Sequence, residues 1–379
     1  MRAVGALGRP ARAFVDPRGA VHAVARGAEV VVDWLVGADD RWHLAAGDVA
    51  VRQRRLGPAP VYETAMRVPG GDALQRVYGV SGPGAPVVVE VENASPAAFA
   101  VAFAVRAARS RGSVTLALDG SEVAIGGAGA VVFPRPPQLC AVGRDQAVTG
   151  RAHAGFATLR GAEVEGVFLF PVPHRTKVRV ALVERARRLP DLVSLPDVEA
   201  VRRGWLAQLQ RGLRTELPDD WQARVDAARA DLLLARPDAR VAAALEDWGF
   251  DHEFGAAWAR LGLRERRAAR RRDPVRDPLR RAAEVEDAPA LLGAVRAVLV
   301  AEEDEHVDVL PAFPAEWRGV NLAVHGVPLR GGGTVSYAVR WHGDRPALLW
   351  DAPSGLELRA PVLAPGWRAP GGAGETLLS

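Results

Sequence analysis

Residues 87–103 read Val-Val-Val-Glu-Val-Glu-Asn-Ala-Ser-Pro-Ala-Ala-Phe-Ala-Val-Ala-Phe, and this stretch decides the fold class of the first half of the chain. A β-branched run from Pro86 alternates by Asn93, the turn Asn93-Ala94-Ser95-Pro96 follows, and a second alternating run spans Ala97 to Arg106. Two strands this close in sequence are expected to pair as a hairpin.

Working outward, Asp16-Pro17-Arg18-Gly19 is a turn, and Glu29 to Val36 is another β-branched run. Downstream, Val114 to Leu118, Glu122 to Ile125 and Val131 to Phe133 recur at roughly the 8–12-residue spacing of a sandwich or barrel. Val164 to Phe170 and Lys177 to Val183 complete the set. The expectation for residues 1–189 is a large antiparallel β-sandwich.

At about Pro190 the period changes. Val198, Val201, Trp205, Leu206, Leu209 and Leu213 recur at three and four residues, which predicts a helix ending near Leu217-Pro218. Asp219 or Asp220 can cap a second helix carrying Val225, Ala228, Leu232 and Leu233, completing an antiparallel helical hairpin. A second hairpin would join Asp238–Trp248 to His252–Leu261, with Gly249 as the stop and Asp251 as the next cap. An arginine-rich stretch follows, then a helix from Pro289 to about Glu303. Strand signals return at Val307–Leu310, Val320–His325, Thr334–His342, Ala347–Asp351 and Leu356–Ala360, with glycine-rich turns between them. The predicted domains are therefore 1–189 (β), 190–305 (helical hairpins) and 306–379 (a small β-sandwich).

Composition narrows the function classes. The 379 residues are 49% hydrophobic, enough for two or three cores, and the 39 glycines and 28 prolines act as scattered punctuation. Lys+Arg total 49 against 45 Asp+Glu, and Lys177 is the single lysine. The basic excess sits in Arg264–Arg281, where nine arginines meet three acids. A lone Cys140 forms no internal disulfide, and no Cys/His spacing suits structural zinc. Residues 1–18 have no apolar core of a signal peptide, and no long uninterrupted apolar stretch occurs, so a soluble cytoplasmic protein is expected. The G-x-S-x-G, P-loop and Rossmann fingerprints are absent, and no cofactor is expected.

The order β, α, β resembles the six-hairpin glycosidases, a clan including bacterial glucoamylases, maltose-type phosphorylases and rhamnosidases. Three stretches carry the resemblance. Val87–Phe103 is similar to the clan's sandwich strand pair around an Asn-x-Ser/Thr turn. Trp205–Ala235 (WLAQLQRGLRTELPDDWQARVDAARADLLLA) looks like the opening hairpin of its α/α barrel. Val309–Trp341, with Leu310-Pro311, Pro314 and Trp317 before Gly331-Gly332-Gly333, is similar to the passage into its C-terminal sandwich. The resemblance implies an N-terminal supersandwich, an α/α barrel region and a C-terminal β-sandwich, with an acid pair in a barrel cleft.

The middle departs from that pattern. Twelve helices of ~12 residues with ~5-residue loops need roughly 200 residues, whereas Asp197–Glu305 supplies 109. The expected toroid is incomplete, and a desolvated, positioned acid is lost with the closed cleft.

Within that middle, Glu246, Asp247, Asp251 and Glu253 are the candidate catalytic acids, and Trp248 and Trp258 the candidate sugar platforms. The competing structural reading makes Asp251 a cap, Glu253 a first-turn acid and the tryptophans packing residues, and it is preferred. Arg266, Arg267, Arg270 and Arg271 are candidate anion ligands, but without interleaved aromatic residues nucleic acid is disfavoured as a partner. The acidic run Glu302–Glu305 with Asp308 lacks the pattern of a calcium loop, and His306, His325 and His342 are too scattered for a metal triad. No metal is expected. The leading expectation is a degenerate, non-catalytic glycosidase-like protein with a carbohydrate-related binding or scaffolding role. Its rivals are an active hydrolase or phosphorylase whose cleft a second copy completes, and a basic adaptor using residues 264–281 to grip an acidic partner.

Overall fold

The computed structural model describes residues 1–379 except 26, 128, 154, 156–157, 185–189, 272–274, 304–305 and 379. The chain is a mixed α and β protein with mostly antiparallel sheets, and it divides into two compact units, Met1–Arg203 and Gly204–Ser379.

The first unit is built from two antiparallel sheets. One runs in the order Arg2–Val4, Ala13–Val15, Val21–Ala25, Ala28–Gly37, Phe99–Ala108, Glu163–Val172, Leu139–Val142, with Trp42–Leu44 paired to Ala28–Gly37. The other runs Thr158–Gly161, Val114–Asp119, Glu122–Ile125, Gly129–Val132, Lys177–Glu184, Val87–Asn93, Gly71–Gly79, Tyr62–Val68, Val51–Arg55.

Their inner faces share one core in which Phe103, Phe133, Phe168 and Phe170 cluster with centroids 5.1–6.4 Å apart. Side-chain size alternates along Phe99–Ala108. Phe99, Val101, Phe103 and Val105 enter the core, while Ala102 and Ala104 form a second apolar layer with Leu35, Val167 and Leu169. The short helix α1 (Arg144–Val148) contributes Ala147 to that layer.

The expected hairpin does not form. Val87–Asn93 lies between Gly71–Gly79 and Lys177–Glu184 in one sheet, and Phe99–Ala108 lies between Ala28–Gly37 and Glu163–Val172 in the other. The Asn93–Ser95 turn carries the chain from sheet to sheet, and it does so with buried polar groups that supply the missing backbone partners. Asn93 Nδ2 donates to the carbonyls of Ala97 (2.8 Å) and Val172 (2.9 Å), while its Oδ1 accepts from the N–H and hydroxyl of Ser95. Both strands are covered on both faces, so alternation alone does not identify the partner.

The outer face of the second sheet holds a row of cross-strand neighbours of alternating charge: Arg54, Glu63, Arg76, Glu90 and Arg179. Glu90 is fully buried, yet its Oε2 meets Arg179 at 3.0 Å and Lys177 at 3.1 Å, so the buried carboxylate is paired.

The helical region begins with α2 (Val198–Leu209), which crosses the boundary between the units. Contrary to expectation it stops at Leu209, and Arg214–Glu216 is a strand paired with Leu322–Pro328. The stop is set at Gly212, where a Cβ would meet the Trp248 carbonyl oxygen at 2.5 Å, and Leu213 N–H donates to that carbonyl at 2.9 Å. Six helices follow: α3 (Asp219–Leu234), α4 (Ala239–Asp247), α5 (Asp251–Trp258), α6 (Leu263–Arg270), α7 (Pro278–Glu284) and α8 (Ala288–Leu299). Gly249, at φ 68°, ends α4 as expected. The cap of α3 is Pro218 and that of α5 is Phe250, so Asp219, Asp220 and Asp251 are first-turn residues rather than caps.

The remaining strands form one seven-stranded sheet with the order Arg214–Glu216, Leu322–Pro328, Thr334–His342, Arg345–Ala360, His306–Val309, Val300–Glu302, and Ala364–Leu377 pairs with Arg345–Ala360. Helices and sheet belong to the same compact unit.

Candidate functional site

The second unit contains a cavity of about 840 Å³ between α4 and α8, closed in by residues of α6, α7 and two loops. Its origin is legible in the helix surfaces. Ala239, Ala243 and Ala244 of α4 and Ala290, Gly293 and Ala297 of α8 all line it. Residues three and four apart share a helix face, so each helix presents a stripe too small to fill the space between them. A Cβ placed on Gly293 would find no heavy atom within 4 Å.

The helix starts are fixed by aspartates. Asp238 accepts from Val241 N–H at 2.8 Å and Asp287 from Ala290 N–H at 3.2 Å. Asp287 also accepts from Arg240 at 2.6 Å, tying the start of α4 to that of α8. On the opposite side Leu310 is fully buried with a left-handed backbone (φ 50°), held by its N–H to the Leu299 carbonyl at 2.9 Å. That backbone turn brings Pro311 and Ala312 into the cavity wall.

Among the described residues five arginines line the cavity: Arg240, Arg271, Arg281, Arg296 and Arg330. Four are exposed, whereas the Arg296 side chain is only 11% exposed. Arg296 donates to Glu302 Oε1 and, at 2.8 Å, to the Pro328 carbonyl; its Nε is buried without a hydrogen bond among the described residues. Glu302 Oε2 accepts from the Arg330 backbone N–H at 2.8 Å, so both carboxylate oxygens are already engaged. Asp247 is the second lining acid.

Of the residues singled out in the sequence, Asp247, Trp248 and Arg271 meet at this cavity. Glu246 is exposed and lies outside the lining. Asp251 is exposed on α5, and Glu253 accepts from Gln208 at 2.8 Å. Trp248 is fully buried, its Nε1 donates to the Leu292 carbonyl at 3.1 Å, and the Arg229 guanidinium lies 5.9 Å from its ring centroid. Trp258 packs against Phe254 (5.4 Å) and beneath Arg266 (5.6 Å) and Arg270 (5.3 Å), so neither indole offers an open platform. Arg267 is exposed on α6.

Arg272 and Asp273 of the arginine-rich stretch, and Asp304 and Glu305 of the acidic run, lie outside the described residues. Arg240, Arg296 and Arg330 escaped the sequence reading. For Arg240 and Arg296 the signal was the helical phase they share with alanine and glycine, Arg240 with Ala243, Ala244 and Asp247, and Arg296 with Gly293 and Ala297; Arg330 stands in a turn and carries no such signal.

Elsewhere, His43 is buried between Asp40 (3.0 Å) and Asp48 (3.2 Å). His306 faces Glu303 (3.4 Å) and Asp308 (3.7 Å), where burial raises the Asp308 carboxyl above its ordinary range. Cys140 sits in the first unit's core, where burial pushes its thiol up to about 11. Among the described residues no group of three or more His, Cys, Asp and Glu side chains is placed to hold a metal ion. No described helix is long and apolar enough to cross a membrane.

No protein-family model and no curated protein matches the sequence. Among solved structures the chain is similar to the inverting family GH92 mannosidase of Bacteroides thetaiotaomicron, with 11% identity and a TM-score of 0.34. The similarity covers 58% of this chain and 32% of the mannosidase, so the chain spans about a third of that enzyme's length.

Proposed function

We propose that the chain is a non-catalytic, glycosidase-like binding protein that takes a saccharide-type ligand in the cavity between α4 and α8. The observation that carries this reading is the state of Glu302. A glycosidic bond is cleaved by two carboxyl groups, one delivering a proton and one acting as base or nucleophile, held ~5–9.5 Å apart according to mechanism. Glu302 accepts on both oxygens, from Arg296 and from the Arg330 backbone, so each of its oxygens is turned to a protein donor. Among the described lining residues the other carboxylate is that of Asp247. The seven helices described between Val198 and Leu299 also fall short of the twelve a closed six-hairpin ring requires.

The test is a turnover assay of the purified chain on aryl glycosides beside calorimetric titration with saccharides. Binding without turnover is expected. Turnover abolished by Asp247→Asn, or turnover of an oligomer abolished by Glu246→Gln or Asp251→Asn, would replace this reading with that of an active enzyme.

A further inference from the structure

We infer that the ligand of this cavity is a saccharide-sized polyanion, carrying phosphate or carboxylate groups that the arginines grip as forks. The inference rests on the reading that this cavity is the binding site, and it adds the chemical class.

A neutral sugar is recognised by acceptors for its hydroxyls and by an aromatic face for its apolar side. The described lining offers little of either. Its indole, Trp248, is wholly buried and directed at the Leu292 carbonyl, and Glu302 is consumed by protein donors. What the described lining does offer is five guanidiniums against two carboxylates. Arg240 is held by Asp287 beneath the rim, so its planar donors are oriented in advance. Arg296 is held in the wall by Glu302 and the Pro328 carbonyl. Exposed Arg281 and Arg330 complete the rim. Guanidinium forks match the paired oxygens of phosphates and carboxylates, and a concave wall of one sign concentrates the field on a ligand entering it. The alanine, glycine and proline floor supplies contact but no competing charge.

The test is titration calorimetry of the full chain with pyrophosphate, with citrate, and with maltose as the uncharged comparator. Pyrophosphate or citrate is expected to bind more tightly than maltose, with affinity falling as sodium chloride is raised. The tighter of the two anions identifies the source of the charge. Arg281→Ala and Arg330→Ala should each weaken anion binding about tenfold, the scale of one charged hydrogen-bonding contact. Arg281→Lys, which keeps the charge and loses the fork, should fall between. Arg106→Ala, which removes an exposed pair with Glu163 in the first unit, should leave binding unchanged. Salt-insensitive binding of maltose with no anion binding would overturn the inference and leave the non-catalytic binding role standing. Anion binding that Arg281→Ala and Arg330→Ala leave intact, or that Arg106→Ala weakens equally, would also overturn it.

Discussion

Gly293 gives the sharpest test of whether the cavity is a site or a packing defect. It lies in the interior of α8, faces the cavity, and has no heavy atom within 4 Å of where its Cβ would stand. A glycine in a helix interior costs about 0.8–1.0 kcal/mol relative to alanine. Nothing in the surroundings offsets a gain from replacing it, so Gly293→Ala should stabilise the second unit by about 1 kcal/mol. For a unit of this length that is a rise in melting temperature of about 2–4 °C. Gly293→Leu keeps most of the helix gain and projects its side chain into the cavity over the preceding turn, at Pro289 and Ala290. It should melt no lower than the wild type and lose ligand binding. Calorimetric melting beside titration reads both quantities on the same sample. A lower melting temperature for Gly293→Ala would show that the glycine is needed for close packing. A Leu variant that melts normally and binds normally would show that the ligand sits elsewhere.

Three further outcomes concern the first unit. Phe103→Ala removes one fully buried ring of the four-ring cluster and should cost about 3–5 kcal/mol, read as a shifted midpoint in urea unfolding. Glu90→Ala leaves the Arg179 guanidinium beside a vacated buried position, and should cost on the order of 3 kcal/mol, whereas Glu122→Ala on the same sheet should change little. The Asp48 carboxyl is held below its ordinary range by the Ala50 N–H, against burial, with help from His43 and Arg41. For Glu63, burial acts to raise the carboxyl, but hydrogen bonds from Arg54 and Arg76 outweigh it and the net shift is downward. Groups depressed in the folded state contribute stability that is full above their unfolded values, about 3.9 and 4.3, and is lost as pH falls through the folded values. Urea midpoints should therefore be flat near neutrality and drop below about pH 4. Asp48→Asn should flatten that fall, and an unchanged acid limb in the variant would refute the assignment.

An element is legible in the sequence where one physical signal dominates, and hidden where a close approach decides the geometry. Thr334–His342 was read with its observed bounds because its residues alternate and glycines stand on both sides. The three helices from α3 to α5 begin or end at proline, aspartate or glycine punctuation, and their order was legible, whereas α6 and α7 lie in the arginine-rich stretch, where no helix bounds were drawn. Ala364–Leu377 was missed because its prolines and glycines read as loop. In the structure those glycines make the strand pairing possible. A Cβ at Gly371 would stand 2.0 Å from the Pro353 carbonyl oxygen, and one at Gly374 would enter the Trp350 ring at 2.4 Å. The residue type that breaks isolated strands is here required by the neighbour it lies against.

The same logic explains why the cavity was only half visible. Acids beside tryptophans in the 246–253 segment drew attention because those residue types carry chemistry, but indole burial and helix packing absorbed most of them. Space itself has no residue-type signature. It arises from alanine and glycine standing where leucine would pack, on two helices more than forty residues apart in sequence. The arginines that border the space carry ordinary helix-surface charge until α4 and α8 are brought face to face. Glu302 then holds Arg296 and Asp287 holds Arg240, so each of these acids orients an arginine while its own negative charge opposes a bound anion. On this account Glu302→Gln, which keeps the shape and an acceptor for Arg296 while removing one negative charge, should tighten anion binding, and a weaker complex would mean that Glu302 contacts the ligand directly.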